Sequence, residues 1–324
     1  MFQQSSEQIL NDFSKYRSAV MGVYILSIAL FHQHFLHSFP WNIFHYYGYW
    51  GVDVFLLLSG MGMVNALSKY PISIFFQHRI KRLLPSCIFC GILKCAIYLL
   101  IGSVIIIPKE IDLIDWGSPL SLDLWYIRAI IVYYVISPLL YRFMQHAPWM
   151  TILAVFILFI INELFFKTSD AGSPSWIIER LLVFCIGMLL MVKKKILSVH
   201  IIIVSTIFLI IAIFIVATLK NSVSLYSTIP WTIYIFTLAI GALALTYLSV
   251  LFLKTMCSTL VSALNWLGNF SLEIYLIHQS IYTALPLIGC NWCPPFGMLI
   301  LCLILSFFIA YTCKYILNIL CFHK

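Results

Sequence analysis

Apolar stretches of roughly 20 residues, separated by short polar connections, recur along the whole chain. The pattern predicts about ten spanning segments, near 18–38, 45–67, 84–106, 121–143, 149–166, 174–192, 197–218, 230–253, 266–288 and 297–319. Segments this long in hydrocarbon must satisfy their own backbone hydrogen bonds, so all are expected to be helices. No Gly/Ser linker, low-complexity stretch or internal repeat breaks the series, which predicts an all-α integral membrane bundle forming one domain over residues 1–324. The first seventeen residues hold Glu7 and Asp12 and lack a basic stretch leading into an apolar one. The first helix is therefore expected to persist rather than be removed as a signal peptide.

Composition strengthens this reading. Of 324 residues, 63% are hydrophobic and 9% charged, against about 25% charged in ordinary soluble domains. A mean hydropathy of +1.03 leaves too little polar surface for a water-soluble globule. Loop charges predict the orientation. One side would hold Lys15, Arg17, Lys69, Arg79, Lys81, Arg82, Arg142, Lys193, Lys194, Lys195, Lys254 and Lys324. The other would hold Lys109, Lys167 and Lys220, accompanied by Glu110, Asp112, Asp115 and Asp170. The positive-inside rule then puts both termini in the cytoplasm of a multi-pass cell-membrane protein, with membrane lipids as its surroundings. The net charge of +8 follows from those basic loops and calls for no nucleic acid. Lys193 to Lys195 read as a topology anchor.

Charged side chains in hydrocarbon are costly and need a reason. Within or beside the expected spans stand His32, His34, Asp53, Lys94, Arg128, Glu163, Glu179, Arg180, Glu273, His278 and Lys314. Lys94 and Lys314 read as snorkelling or resting against carbonyls, and Glu163, near a helix end, as water-facing. Arg17 and His32 are fifteen residues apart, about 22 Å along a helix and close to four turns, so they lie near one face. Histidine suits proton transfer near neutral pH, but a histidine bonded to a helix backbone in a packed bundle fits helix 1 equally well. In GVDVFLLLSGMGM, residues 51–63, Asp53 is an isolated acid, while Gly60 and Gly62 read as packing positions. FFQHRIKRLLP, residues 75–85, reads as an interfacial amphipathic segment able to meet lipid or cofactor phosphates.

Other signals carry less. His32 and His34 diverge by about 200° on a helix, so one shared metal is not expected. The ten cysteines fall mostly in apolar helices, and Cys290 and Cys293 have a spacing that alone establishes no disulfide. The sequence lacks a phosphate-cradling Gly-rich motif, zinc-type spacing and a Gly-x-Ser-x-Gly elbow, so no metal is expected.

Taken in order, several stretches resemble acyltransferase family 3, membrane proteins that include O-acetyltransferases of bacterial surface polysaccharides. They are helix 1, 51–63, 75–85, DLWYIRAIIVYYVISPLLYRF at 123–143, IIERLLVFCIGMLL at 177–190 and WLGNFSLEIYLIHQ at 266–279. One position departs from the family pattern. Where many members carry an arginine eleven residues before the helix-1 histidine, this chain has Met21. Arg17, one turn earlier on roughly the same face, is read as its replacement.

The resemblance implies transfer of an acyl group, acetyl above all, from acetyl-CoA to a hydroxyl of a surface or lipid-linked glycan. On that basis His32 is expected as the general base or acyl carrier, and Asp53 as a residue orienting it or another cation. Arg17, Arg79, Lys81 and Arg82 are expected to meet donor phosphates, with Glu273 and His278 as supporting polar residues. Arg128, Arg180 and Trp125 are expected at the acceptor sugar. Two other classes suit the same features: a proton-coupled carrier, and a non-catalytic relative within glycan assembly machinery.

Overall fold

The computed structural model describes residues 5–33, 43–100, 125–166, 174–219, 228–287 and 294–322. Regular structure among these residues is helical: α1 (Ser6–His32), α2 (Phe44–Tyr47), α3 (Gly51–Leu67), α4 (Ile72–Leu100), α5 (Trp125–His146) and α6 (Pro148–Ile161). The series continues with α7 (Ser175–Val192), α8 (Val199–Leu219), α9 (Thr228–Thr255), α10 (Ser258–Asn269), α11 (Ser271–Leu287) and α12 (Pro295–Phe322). Among the described residues seven helical stretches are long and apolar enough to cross a membrane, or eight where the bent pair α10–α11 counts as one span. The described residues thus account for seven or eight of the about ten expected spans, and α1 and α4 are not among them. The apolar part of α1 within the described residues is confined to 18–32 and follows Lys15 and Arg17, while α4 carries Arg79, Lys81, Arg82 and Lys94.

Three elements differ from their expected outline for local reasons. Helix α1 starts at Ser6, where the Ser5 hydroxyl accepts from Gln8 N at 3.2 Å in a capping arrangement. Its polar front turns are held because Ile9, Leu10 and Phe13 form a buried apolar stripe. The segment 75–85 is not a separate interfacial piece but the first part of α4, which runs straight through Pro85. The expected helix over 266–288 is two helices bent by 74° at Phe270. Asn269 and Ser271 flank that break, and both residue types readily satisfy backbone groups outside a helix.

Helix α1 is central, packing against α2, α3, α9, α10 and α11. Close crossings rest on residues without side chains. A Cβ at Gly60 would come within 2.0 Å of the Phe184 carbonyl oxygen, and one at Gly187 within 2.1 Å of that of Leu57, so α3 and α7 meet backbone to backbone. Hydroxyls add cross-links: Tyr24 on α1 donates to the Leu245 carbonyl on α9 at 3.2 Å, and Ser205 on α8 donates to the Ile240 carbonyl at 2.7 Å. At one end of the bundle Lys254, which closes α9, pairs with Asp12 in the early turns of α1. Glu163 is not water-facing: it is 1% exposed and accepts from Thr232 at 2.9 Å. Lys94, 4% exposed, does not snorkel, whereas Lys314 donates to the Asn269 carbonyl.

Candidate active site

Two polar centres lie along α1, one at each end of its apolar half. At the C-terminal end His32 meets His278 of α11, with His278 Nε2 3.1 Å from His32 Nδ1. The hydrogen-bond pattern assigns the protons. Carbonyl oxygens only accept, so His278 Nδ1, 3.0 Å from Ile274 O and 2.9 Å from Tyr275 O, carries its proton. Its Nε2 is then the acceptor for His32 Nδ1–H, a proton also shared with Ile28 O at 3.0 Å. In the neutral pair the basic lone pair of His32 therefore resides on Nε2. The histidine is thus bonded to its helix backbone and also joined to a second titratable ring.

At the other centre Arg17, Arg79 and Arg82 line a cavity of about 50 Å³ with Met21, Tyr126 and Tyr275. That volume holds a few waters. None of the three arginines has a carboxylate within salt-bridge distance among the described residues. Burial, then the neighbouring charges of Arg82 and Arg79, draws Arg17 down to about 10. Burial likewise lowers Arg79, whose guanidinium lies 5.5 Å from the Tyr134 ring centroid. Three cations held together without an anion form a site that gains from one. Lys81, grouped with them from the sequence, lines a neighbouring cavity that shares only Arg82 and Leu272 with this one.

Aromatic rings join the two centres. Tyr126 lines the arginine cavity and packs 5.0 Å from Tyr275, whose ring stands 5.9 Å from that of His278. These tyrosines, with Tyr134 and Ser271, were not singled out from the sequence, and Ser59 reads there as a close-packing position beside Gly60. A usable signal lay in the eight-residue spacing of Tyr126 and Tyr134, which returns to one helix face. Gly62 faces this site rather than a helix: its Cβ would stand 2.8 Å from Arg17 Nη1. Its missing side chain makes room for a guanidinium.

The remaining candidates sit elsewhere. Asp53 is fully buried and takes two 2.7 Å hydrogen bonds from Arg180 Nη1, so its partner is Arg180 and not His32. Arg180 also stands 5.8 Å from the Tyr49 ring. Trp125 packs edge-on against Trp176 at 5.4 Å, and Arg128 follows one turn later on α5. Glu273 points away from the histidines to accept from Ser86 at 2.8 Å. No group of three potential ligands that could hold a metal ion occurs among the described residues. His34, Cys290 and Cys293 lie outside those residues.

The chain matches the family model of the acyltransferase domain of acyltransferase family 3 over residues 19–315. It belongs to that family. As a member, it is a multi-pass membrane acyltransferase. Arg17 lies two residues before the matched range, while Met21 lies within it. No curated protein and no solved structure gave a match.

Proposed function

We propose that this acyltransferase moves an acetyl group from acetyl-CoA to a hydroxyl of a surface or lipid-linked polysaccharide, with His32 as general base. The observation that carries the reading is an anion-seeking cluster of α1 and α4 side chains at one level of α1 and a base farther along that helix. Arg17, with Arg79 and Arg82, supplies unneutralised positive charge at one level of α1, and His32 sits about 22 Å farther along the axis. A CoA molecule has its phosphates at one end and its thioester at the end of a long arm, a shape suited to that separation. The water-sized cavity means that the mouth must widen to admit the nucleotide.

In the reaction His32 Nε2 accepts the proton of the acceptor hydroxyl as its oxygen attacks the thioester carbonyl. The C–S bond then breaks, and the departing thiolate receives a proton from the imidazolium. While His32 is charged, Ile28 O and His278 Nε2 both accept from its Nδ1–H, which steadies the ring and its charge. Arg128, Arg180 and Trp125 are proposed to border the acceptor.

Ester-linked acetate on surface glycan tests the proposal in cells carrying wild type, His32→Ala or a deletion, at matched membrane levels. Equal loss in the deletion and His32→Ala supports it. Acetate unchanged by the deletion refutes the glycan assignment.

A further inference from the structure

A second cavity, of about 320 Å³, opens between α4, α11 and α12 and shares Arg82 and Leu272 with the arginine cavity. Lys81, Arg82 and Lys314 contribute positive charge, and Glu273 contributes a carboxylate. Glu273 is 5% exposed, and while its Oε1 accepts from Ser86, its Oε2 is buried with no hydrogen-bond partner. A buried carboxylate oxygen left in that state is costly, and it points to a donor supplied from outside the chain.

Beside this cavity runs an apolar slot of about 720 Å³ between α1, α10 and α12, lined by Trp266, Ile304, Phe307 and Tyr311. The two lie in succession along one stripe of α12, since Phe307 of the slot and Lys314 of the polar cavity are seven residues, close to two turns, apart. Phe270 bridges them: Lys314 Nζ lies 4.9 Å from its ring centroid, and its ring packs 5.3 Å from Trp266 and 5.6 Å from Phe307. Both volumes fall in the range of ligand sites.

The charges select the occupant. Lys314 already donates to the Asn269 carbonyl, so Lys81 and Arg82 are the cations that a neutral hydroxyl ligand would leave without an anion, while a bare phosphate would meet the charge of Glu273. A zwitterion carrying both phosphate and an N–H donor offers an anion to the cations and a donor to Glu273 Oε2, and the neighbouring slot suits hydrocarbon. We propose that a phospholipid with a primary-amine head group, of the phosphatidylethanolamine type, binds along α12. Its phosphate rests on Lys314, Arg82 and Lys81, its ammonium on Glu273 Oε2, and its acyl chains in the slot beneath Trp266.

The test is native mass spectrometry of the purified protein titrated with phosphatidylethanolamine, phosphatidylcholine or phosphatidylglycerol of identical chains. Choline has no N–H to give Glu273, so wild type should bind the ethanolamine lipid about tenfold more tightly than the choline lipid. Glu273→Gln should erase that preference, and Lys314→Met should weaken both lipids. Equal binding of the two by wild type, tighter binding of the glycerol lipid, or a preference that survives in Glu273→Gln would overturn the proposal. The wild-type comparison needs no variant to fold, and a lipid-binding readout is independent of whether the protein acetylates glycan.

Discussion

His278 Nε2 lies 3.1 Å from His32 Nδ1, joining two side chains 246 residues apart in the chain. Each ring has its Nδ1 set against a carbonyl of its own helix, and the pairing adds His278 Nε2 as a second acceptor for the His32 proton. Together, with Ile28 O, Ile274 O and Tyr275 O as fixed acceptors, they direct the lone pair of His32 to one nitrogen. The arrangement follows the logic of a base whose other nitrogen is steadied by a second group.

This pairing predicts unequal effects of the two histidines. His32→Ala, removing the proposed base, should lower kcat by about 10²–10⁴. His278→Gln, which removes one of the two acceptors of the His32 Nδ1 proton, should lower kcat by about tenfold to a hundredfold with donor KM little changed. Steady-state acetyl transfer by matched membranes measures both. A His278→Gln effect confined to KM would contradict the positioning role.

The arginine cavity predicts the opposite signature. Arg17→Ala and Arg79→Ala should each raise donor KM by about tenfold or more, the scale of a hydrogen bond to a charged group, with smaller changes in kcat. The response of Arg17 also asks whether it fills the place vacated by arginine at Met21. Unaltered donor KM in Arg17→Ala would show that it does not.

Gly62 offers a subtler perturbation of the same group. An added methyl would stand 2.8 Å from Arg17 Nη1, the far end of a flexible side chain, so the guanidinium should shift while the helix stays in place. Gly62→Ala should therefore raise donor KM several-fold at nearly unchanged melting temperature. It should add little to Arg17→Ala in the double variant, because both act through one group.

What the sequence made legible was local. Apolar length marked the helices, and isolated charges marked the places where hydrocarbon is interrupted. Both members of the histidine pair were visible as outliers, as was the basic run at 79–82. Partnership was not legible, because it depends on crossings between distant helices. Asp53 finds Arg180 because Gly60 and Gly187 let α3 and α7 touch backbones, and neither charge reveals the other in the sequence. Composition also hid the front of α1, where polar residues outnumber the buried Ile9, Leu10 and Phe13 that hold it. The bend at Phe270 turned Glu273 toward Ser86, while His278 met His32. A straight helix through this stretch left both orientations undetermined.

The Asp53–Arg180 pair yields a prediction about stability rather than chemistry. Both residues are buried, Asp53 completely, and Arg180 Nη1 reaches both carboxylate oxygens at 2.7 Å. Removing one partner leaves the other charge without compensation, so Asp53→Asn or Arg180→Met alone should cost about 3–5 kcal/mol. Replacing both with apolar residues removes the two desolvation penalties together, so Asp53→Leu with Arg180→Met should recover most of that loss. Thermal unfolding of the detergent-solubilised protein measures the cycle. If the double variant regains its melting temperature but transfers no acetyl, the pair also serves the acceptor side of the site. If it regains both, the ion pair is a fastening between α3 and α7 alone.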